Sequence, residues 1–573
     1  MAEGAKYAIR VALLWLVPVI LFFTHVLILP VALSLGLTVL EVPQLRKRVL
    51  GSGARKHLPC FRVNMLIRLL ALWMLQVWWV ILIRATDMDI SEDVRSVEKQ
   101  HLENTTQYVG SLLSSISVVL PCAGEGDYAL KTVQSVFHST PDVLREIIIV
   151  DDGSDPPLDQ LITEDIRERY KVKLIRHESG TGLIASKLHG GNLATGDIVV
   201  FFDCHVAPQP NWYIPFLQLI SENNRRIVVP VITSLDVSTW TQLGTAGVAK
   251  CYLTWDADFK WFESDDDFIP VISGGLLGIS KMWWNETGGY DEEMRGWGGE
   301  NLDQSLRSWL CGGEIVLARN SFVAHMWRQP KDRRTLANYH VDKGDPMRNR
   351  MRAASAWFGD FKEKLSDFGL QADGWGDTNN MLNVKQRLQC KSFAWFMHRF
   401  RNVYEDGGLL PAETFKLRET RNNMCLTYQG KAGTSASGQG KVAMMPCGSD
   451  DHRQRWHGAN RLDGWSPDSP CCSGLRAWNT DQCLIAKANS ISTTVCDISG
   501  RSKTQAFHFT ETGMLMTEQS TFMSKNCIQA MTRGLQVGNC IPAAWAKDDT
   551  TVPLETRLYR EAIDRESEDM DEP

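Results

Sequence analysis

The sequence predicts an α/β domain followed by an all-β domain, both carried behind N-terminal transmembrane segments. Three observations predict this: a strand, helix, strand alternation from Ser117, a weak threefold repeat of cysteine pairs beyond Gly407, and a run from Val11 to Leu40 free of Asp, Glu, Lys and Arg. The 573 residues, 14 cysteines and 44% hydrophobic content exclude a collagen, a wholly disordered chain and a small disulfide scaffold. With 61 basic and 67 acidic residues the net charge is -6, which offers no global field for nucleic acid. Any partner must be recognised at a local site.

The charge-free run exceeds the ~20 residues a spanning helix needs and is too long for a signal-peptide core. Pro18 and Pro30 interrupt it, leaving a kinked span or a re-entrant segment open. A second apolar run, Leu69 to Ile83, lengthened to 66–83 by Leu66 and Ile67, holds Trp73, Trp78 and Trp79, and the bracketing Arg68 and Arg84 can snorkel. Between the runs lie Arg46, Lys47, Arg48, Arg55, Lys56, Arg62 and Arg68 against the single acid Glu41, whereas Asp87, Asp89, Glu92 and Asp93 follow the second. Positive residues stay cytosolic, so the remainder is expected in the lumen, with Met65 permitting an alternative start and one anchor. Asn104-Thr105-Thr106 is then a glycosylation acceptor on a short stem.

Ser117 to Pro121 reads as a β-branched strand, Tyr128 to His138 as a helix, and Glu146 to Val150 as a buried strand running into Asp151-Asp152-Gly153-Ser154. Val172 to Ile175 and Asp197 to Phe202 supply two more strands, the latter ending in Asp203-Cys204-His205. Open parallel sheets bind ligands beyond the carboxyl ends of their strands, where Asp151, Asp152, Asp203 and His205 all fall. Residues two apart on an extended segment share a face, so Asp203 and His205 can approach one cation. A departing nucleoside diphosphate develops charge that such a cation neutralises, and an imidazole beside a carboxylate favours Mn²⁺ over Mg²⁺.

Ser273-Gly274-Gly275-Leu276-Leu277 follows, then Arg295-Gly296-Trp297-Gly298-Gly299-Glu300-Asn301, Trp309-Leu310-Cys311-Gly312-Gly313 and His325-Met326-Trp327-Arg328. From about Ser117 to Cys540 the chain resembles the polypeptide N-acetylgalactosaminyltransferases, which start mucin-type O-glycosylation. The resemblance implies a GT-A nucleotide-sugar transferase domain in which Asp203, His205 and His325 bind Mn²⁺ on the donor diphosphate. Asp152, with Asp151 beside it, matches the uridine contact, Lys187 stands where the family has arginine, and Gly274 and Gly275 line the donor sugar beside Glu300 and Asn301. Trp297 belongs to a mobile loop that closes on UDP, and Arg328 helps hold the diphosphate. Trp255 to Trp261 matches an aromatic segment bordering the peptide groove, although such aromatics more often pack a core. The implied reaction retains the anomeric configuration by front-face attack. Catalysis then rests on Glu300, Asn301, Trp297 and Arg328, through positioning and charge neutralisation.

The chain departs from the family pattern at several places. Phe-His-Asn-Glu after the first strand becomes Cys122-Ala123-Gly124-Glu125, Lys187 loses the bidentate fork of arginine, and Lys331-Asp332-Arg333 replaces His-Pro-Tyr after Arg328. Disulfides implied by the resemblance are Cys311 with Cys390 and, in three ricin-like lobes of a β-trefoil, Cys425 with Cys447, Cys483 with Cys496, and Cys527 with Cys540. Gln454-Arg455-Trp456 and Gln505-Ala506-Phe507 are full and degraded copies of the lobe motif. Sugar-binding lobes carry Asp directly after Cys-Leu, but here those positions hold Thr427, Ile485 and Gln529, which makes carbohydrate binding by this lectin domain doubtful. Cys471 and Cys472 have no evident partner.

The expected organisation is a membrane anchor region over 1–100, stem 101–116, catalytic domain 117–406, linker 407–413, lectin-like domain 414–546 and an acidic tail 547–573, expected to be disordered from Asp564 to Pro573. The implied function is manganese-dependent transfer of GalNAc from UDP-GalNAc to Ser/Thr of polypeptides at the Golgi membrane, on its lumenal side. Another UDP-sugar as donor and an inactive lectin-like scaffold are the competing readings.

Overall fold

A computed structural model describes residues 113–566 apart from the internal segments 245–249, 330, 335–341, 434–439, 459–473, 488–489, 499–501, 518–525 and 532–533. The apolar runs 11–40 and 66–83, the stem acceptor Asn104 and the pair Cys471 and Cys472 lie outside the described residues. Among those described, no helix is long and apolar enough to cross a membrane.

Eleven strands occupy the α/β region: β1 (Ile116–Cys122), β2 (Leu144–Asp152), β3 (Val172–His177), β4 (Ile198–Phe201), β5 (Val206–Pro208), β6 (Arg226–Asp236), β7 (Thr241–Leu243), β8 (Lys250–Leu253), β9 (Phe259–Phe262), β10 (Leu277–Ser280) and β11 (Glu314–His325). The main sheet runs β3-β2-β1-β4-β10-β6-β11-β5, with β7 paired to β6 and β8-β9 a separate hairpin. Strands β3, β2, β1 and β4 are mutually parallel, β10 is antiparallel to both β4 and β6, and β11 is parallel to β6. Two reversals restore direction, so β11 ends on the same edge as β1, β2 and β4.

The strands form because their side chains are buried on both faces, which selects near-continuous β-branched runs. Val119, Ile148, Val150, Val199 and Phe201 enter one core, while Val118, Leu120, Ile147, Ile149 and Val200 enter the other. Helices Asp127–Ser139, Leu183–Leu193 and Ile214–Glu222 cover the faces, and helix Glu300–Leu310 starts near the carboxyl edge. Glycine lets that cover lie close. A Cβ on Gly190 would come within 2.4 Å of Val119, and one on Gly278 within 2.5 Å of Phe216.

The all-β region repeats one hairpin three times: Met424–Tyr428 with Val442–Pro446, Gln482–Lys487 with Ser490–Val495, and Asn526–Met531 with Gly534–Gly538. Each carries one of the disulfides Cys425–Cys447, Cys483–Cys496 and Cys527–Cys540. The repeats share bonds as well as strands. The indole of Trp456 donates to Leu426 O and that of Trp545 to Ile528 O, each at 2.8 Å, while Gln454 and Gln505 brace Pro446 O and Val495 O, each at 2.9 Å. Trp545, in Ala543-Ala544-Trp545, is the third-lobe aromatic, and no glutamine precedes it to complete the motif.

The acidic tail expected from residue 547 is replaced by a strand Trp545–Thr551, paired with Thr414–Glu419, and a helix Leu554–Arg565. Glu555, Thr556, Tyr559 and Ala562 form the buried face of that helix, so amphipathic packing outweighs its high charge.

Candidate active site

β4 ends at Phe201 and the chain leaves the sheet through Asp203-Cys204-His205 before re-entering it as β5, whose Val206 pairs with His325 of β11. The pairing brings together residues 119 positions apart. The ligand atoms of Asp203, His205 and His325 all lie within 4.8 Å of one another. His325 Nε2 is 3.0 Å from Asp203 Oδ2, and the two imidazole centroids are 5.0 Å apart.

Burial of Asp203 opposes its ionisation, but the His325 hydrogen bond and the charges of His325, Lys187 and His205 hold its carboxyl well below the usual range. Burial lowers the pKa of His325 despite the neighbouring carboxylate. Both Nδ1 atoms, of His205 and His325, are buried without a hydrogen-bond partner among the described residues. His205 Nδ1 lies 3.2 Å from Glu125 Oε1, within ion-pair range but off the line of a hydrogen bond. One carboxylate and two imidazoles, partly starved of partners, form a donor set that fits a divalent transition cation such as Mn²⁺.

A wall of backbone closes the cluster. A Cβ on Gly275 would sit 3.1 Å from Asp203 Oδ2, and one on Gly274 would sit 3.2 Å from Asn301 Cβ and 3.4 Å from Glu300 Oε1. Gly274 also has φ +94°, and its carbonyl accepts from the fully buried Lys187 Nζ at 2.6 Å. Glu300 opens helix Glu300–Leu310, is buried, and leaves Oε2 without a hydrogen bond. Burial raises its pKa, a shift that Lys187 and nearby backbone amides oppose and Asp203 reinforces. Asn301 Nδ2 is tied to Ile272 O at 3.0 Å. The sequence-expected Asp203, His205, His325, Lys187, Gly274, Gly275, Glu300 and Asn301 therefore converge in one cluster.

Residues 117–259 match the family model described as glycosyl transferase family 2, and residues 266–327 match the one described as N-terminal domain of galactosyltransferase. Polypeptide N-acetylgalactosaminyltransferase 12 of Mus musculus is 35% identical over 303 residues, covering 50% of this chain and 51% of the relative. Polypeptide N-acetylgalactosaminyltransferase 3 of Taeniopygia guttata is 33% identical over 326 residues, covering 52% of each. Over that half, the chain is similar to polypeptide N-acetylgalactosaminyltransferases. It spans about half the length of these curated relatives. A crystal structure of GalNAc-T7 with UDP, GalNAc and Mn²⁺ has a TM-score of 0.48 at 23% identity, covering 76% of this chain and 82% of the other. The α/β region is a GT-A-like glycosyltransferase fold.

The remaining positions singled out by the likeness to N-acetylgalactosaminyltransferases divide into two groups. Asp151 is committed to its own loop, accepting from Ser154 N and Leu158 N and pairing with Arg176. Asp152 Oδ1 accepts from Thr181 N at 2.8 Å and Thr181 Oγ1 at 2.7 Å and faces His177 Nδ1 at 2.9 Å, while its Oδ2 accepts from Gly182 N at 2.7 Å. These bonds outweigh burial and lower its pKa. Trp255 donates its indole hydrogen to Leu409 O at 2.7 Å and stacks on Phe361, so it serves packing rather than an open groove. Trp261 is half exposed on β9, and Trp297 is 46% exposed among glycines of positive φ. Arg328 pairs with Glu125.

Sequence reasoning missed four features: the Glu125 bridge between Arg328 and His205, the stacked His177 and His189, the anchoring of the Trp297 loop by Asn349, and the disulfide Cys122–Cys204. Only Cys122 and Glu125 carried a signal: Cys122 departs from the family pattern, and Glu125 keeps the glutamate that ends it. Cys311–Cys390 joins the pair the resemblance implies.

Proposed function

We propose that the chain transfers GalNAc from UDP-GalNAc to Ser/Thr hydroxyls of polypeptides with retention of configuration. The observation that carries this reading is the convergence of Asp203, His205 and His325 beside the Gly274-Gly275 wall and Glu300, in a chain whose relatives are polypeptide N-acetylgalactosaminyltransferases.

Asp203, His205 and His325 would hold Mn²⁺. When bound, the cation supplies positive charge to the donor diphosphate. Arg328 adds a second cation to that charge, and its partner Glu125 keeps it at the rim until the diphosphate competes for the guanidinium. Gly274 and Gly275 let backbone reach the sugar, and Glu300 and Asn301 face the same space. Glu300, buried beside Gly274 at the start of its helix, orients sugar hydroxyls. Trp297 closes the cleft from its exposed loop.

The all-β region reads as a ricin-type trefoil with degenerate lobes. Thr427 is buried and bonded to Gln454, and Gln529 is spent on Asn539 O, so neither offers a carboxylate to a sugar. Among the described residues, the disulfides Cys122–Cys204, Cys311–Cys390, Cys425–Cys447, Cys483–Cys496 and Cys527–Cys540 support an oxidising, lumenal compartment, in keeping with a Golgi membrane protein anchored through 1–100.

Full-length protein from an oxidising host, given UDP-GalNAc, Mn²⁺ and a Thr-rich peptide, is expected to add one HexNAc mass per modified residue. Reaction with UDP-GlcNAc but not UDP-GalNAc would transfer the assignment to another donor, an outcome that the occupied Asp152 carboxylate makes worth measuring.

A further inference from the structure

Cys122 is the last residue of β1, and Cys204 stands between the two metal-site residues Asp203 and His205. They form a disulfide across 82 positions, with Cα atoms 5.3 Å apart. Strands β1 and β4 pair in register from Ile116 with Ile198 to Val119 with Phe201, and Phe202 N then donates to Val119 O at 3.1 Å. Beyond that bond the ladder stops, because the chain turns away to present Asp203 and His205. Cys122 and Cys204 each lie three residues past the final pair Val119 and Phe201. The disulfide therefore continues the register covalently where backbone bonding has ended.

Its direction matters as much as its position. Both sulfurs are buried in the core that also holds Phe202 and Val206, while Asp203 and His205 turn toward the cleft. On the β1 side the backbone is fixed by β2, where Cys122 pairs with Asp151, and it runs on to Glu125, which faces His205 Nδ1 at 3.2 Å. The Asp203 to His205 turn is thus held from the core by a covalent bond, and Asp203 is backed from the other side by Gly275.

We propose that the Cys122–Cys204 disulfide is a positioning element of the cation site, holding Asp203 and His205 where they can meet His325. The inference rests on the reading of those three residues as a cation site. Groups that orient metal ligands typically change affinity by about 10- to 100-fold when removed, although they touch no metal. A disulfide that serves stability alone would lower the unfolding temperature and leave the affinity of the folded protein unchanged.

The test uses the full-length chain with Mn²⁺ as the probe. Free Mn²⁺ is read by electron paramagnetic resonance, folding by thermal unfolding, and the bond by peptide mapping without reductant. Cys122→Ser, Cys204→Ser and the double variant should each bind Mn²⁺ about 10- to 100-fold more weakly well below their unfolding temperatures. The double variant should be no weaker than either single one, because all three lack the same bond. Cys483→Ser/Cys496→Ser, which removes a remote disulfide, should keep wild-type affinity. Wild-type binding in the folded Cys122 and Cys204 variants overturns the proposal, as does an equal loss in the remote control. Peptide mapping that finds Cys122 and Cys204 as free thiols in the wild type overturns it even if no variant folds. Wild-type protein that binds no Mn²⁺ removes the cation reading itself along with the inference.

Discussion

Gly275 shows how an absent atom shapes the cleft. A methyl group there would lie 3.1 Å from Asp203 Oδ2, closer than ordinary packing allows, and the carboxylate is the softer of the two partners. Gly275→Ala is therefore expected to weaken Mn²⁺ binding about tenfold with little change in unfolding temperature, by displacing Asp203 rather than the fold. Glu146 illustrates a charge with a purely structural task. It accepts from Ser117 Oγ, Thr195 N and Thr195 Oγ1 and pairs with Lys173, and these bonds outweigh the cost of its burial to bring its pKa from 4.5 to about 2. A depressed folded pKa stabilises the fold above pH 4.5, and that contribution fades as pH falls from there toward about 2. In Glu146→Gln, unfolding followed by circular dichroism should lose stability at neutral pH and show a shallower pH dependence in that window. At this scale the sequence was legible wherever a residue's chemistry is rare: Asp203, His205 and His325 stood out. The commitment of Asp151 to its own loop and of Asp152 to Thr181 and Gly182 did not, because an acid at a strand end looks alike whether it faces a ligand or a backbone amide.

At the scale of elements, the Trp297 loop has its seat on helix Asp345–Trp357. Asn349 donates to Arg295 O at 2.7 Å and Gly298 O at 2.8 Å and accepts from Arg295 N at 3.1 Å. Gly298 and Gly299 pack so close that a Cβ would meet Pro346 at 3.2 Å and Asn349 at 2.7 Å. Asn349→Ala removes these braces, each worth about 1 kcal/mol, and should raise the donor KM roughly tenfold or more in the peptide assay while the unfolding temperature falls only slightly. The strands themselves were readable because burial on both faces demands continuous β-branched runs, as in Glu146 to Val150. Partnerships such as Asn349 with Gly298 were not, since periodicity reports a local face and says nothing about which distant backbone it will cover. Cys122 and Cys204 share that limit: among 14 cysteines, spacing alone does not fix connectivity.

On the scale of the whole described molecule, the all-β region is bound to the α/β region through its C-terminal helix. Lys364 and Glu555, 1% and 2% exposed, pair at 3.0 Å, Thr556 Oγ1 donates to Pro411 O at 2.8 Å, and the Tyr559 hydroxyl meets Glu405 and His398. Lys260 and Asp481 add an ion pair at 3.2 Å, and Asn479 Nδ2 donates to Asp367 Oδ2 at 3.0 Å. Removing one member of a buried pair strands the other charge. Lys364→Met should cost about 3–5 kcal/mol in denaturant unfolding, whereas Lys364→Met/Glu555→Met should recover most of it. The high charge of residues 554–565 hides this helix in the sequence, because the composition masks the helical spacing of Glu555, Tyr559 and Ala562.

The cation site carries the chemistry, so a titration of the full-length chain with Mn²⁺, followed by electron paramagnetic resonance, tests it most directly. One ion per chain should bind, and Asp203→Ala, His205→Ala and His325→Ala should each weaken binding by about 100-fold or more. Undiminished binding in all three folded variants, or none in the wild type, would contradict the account.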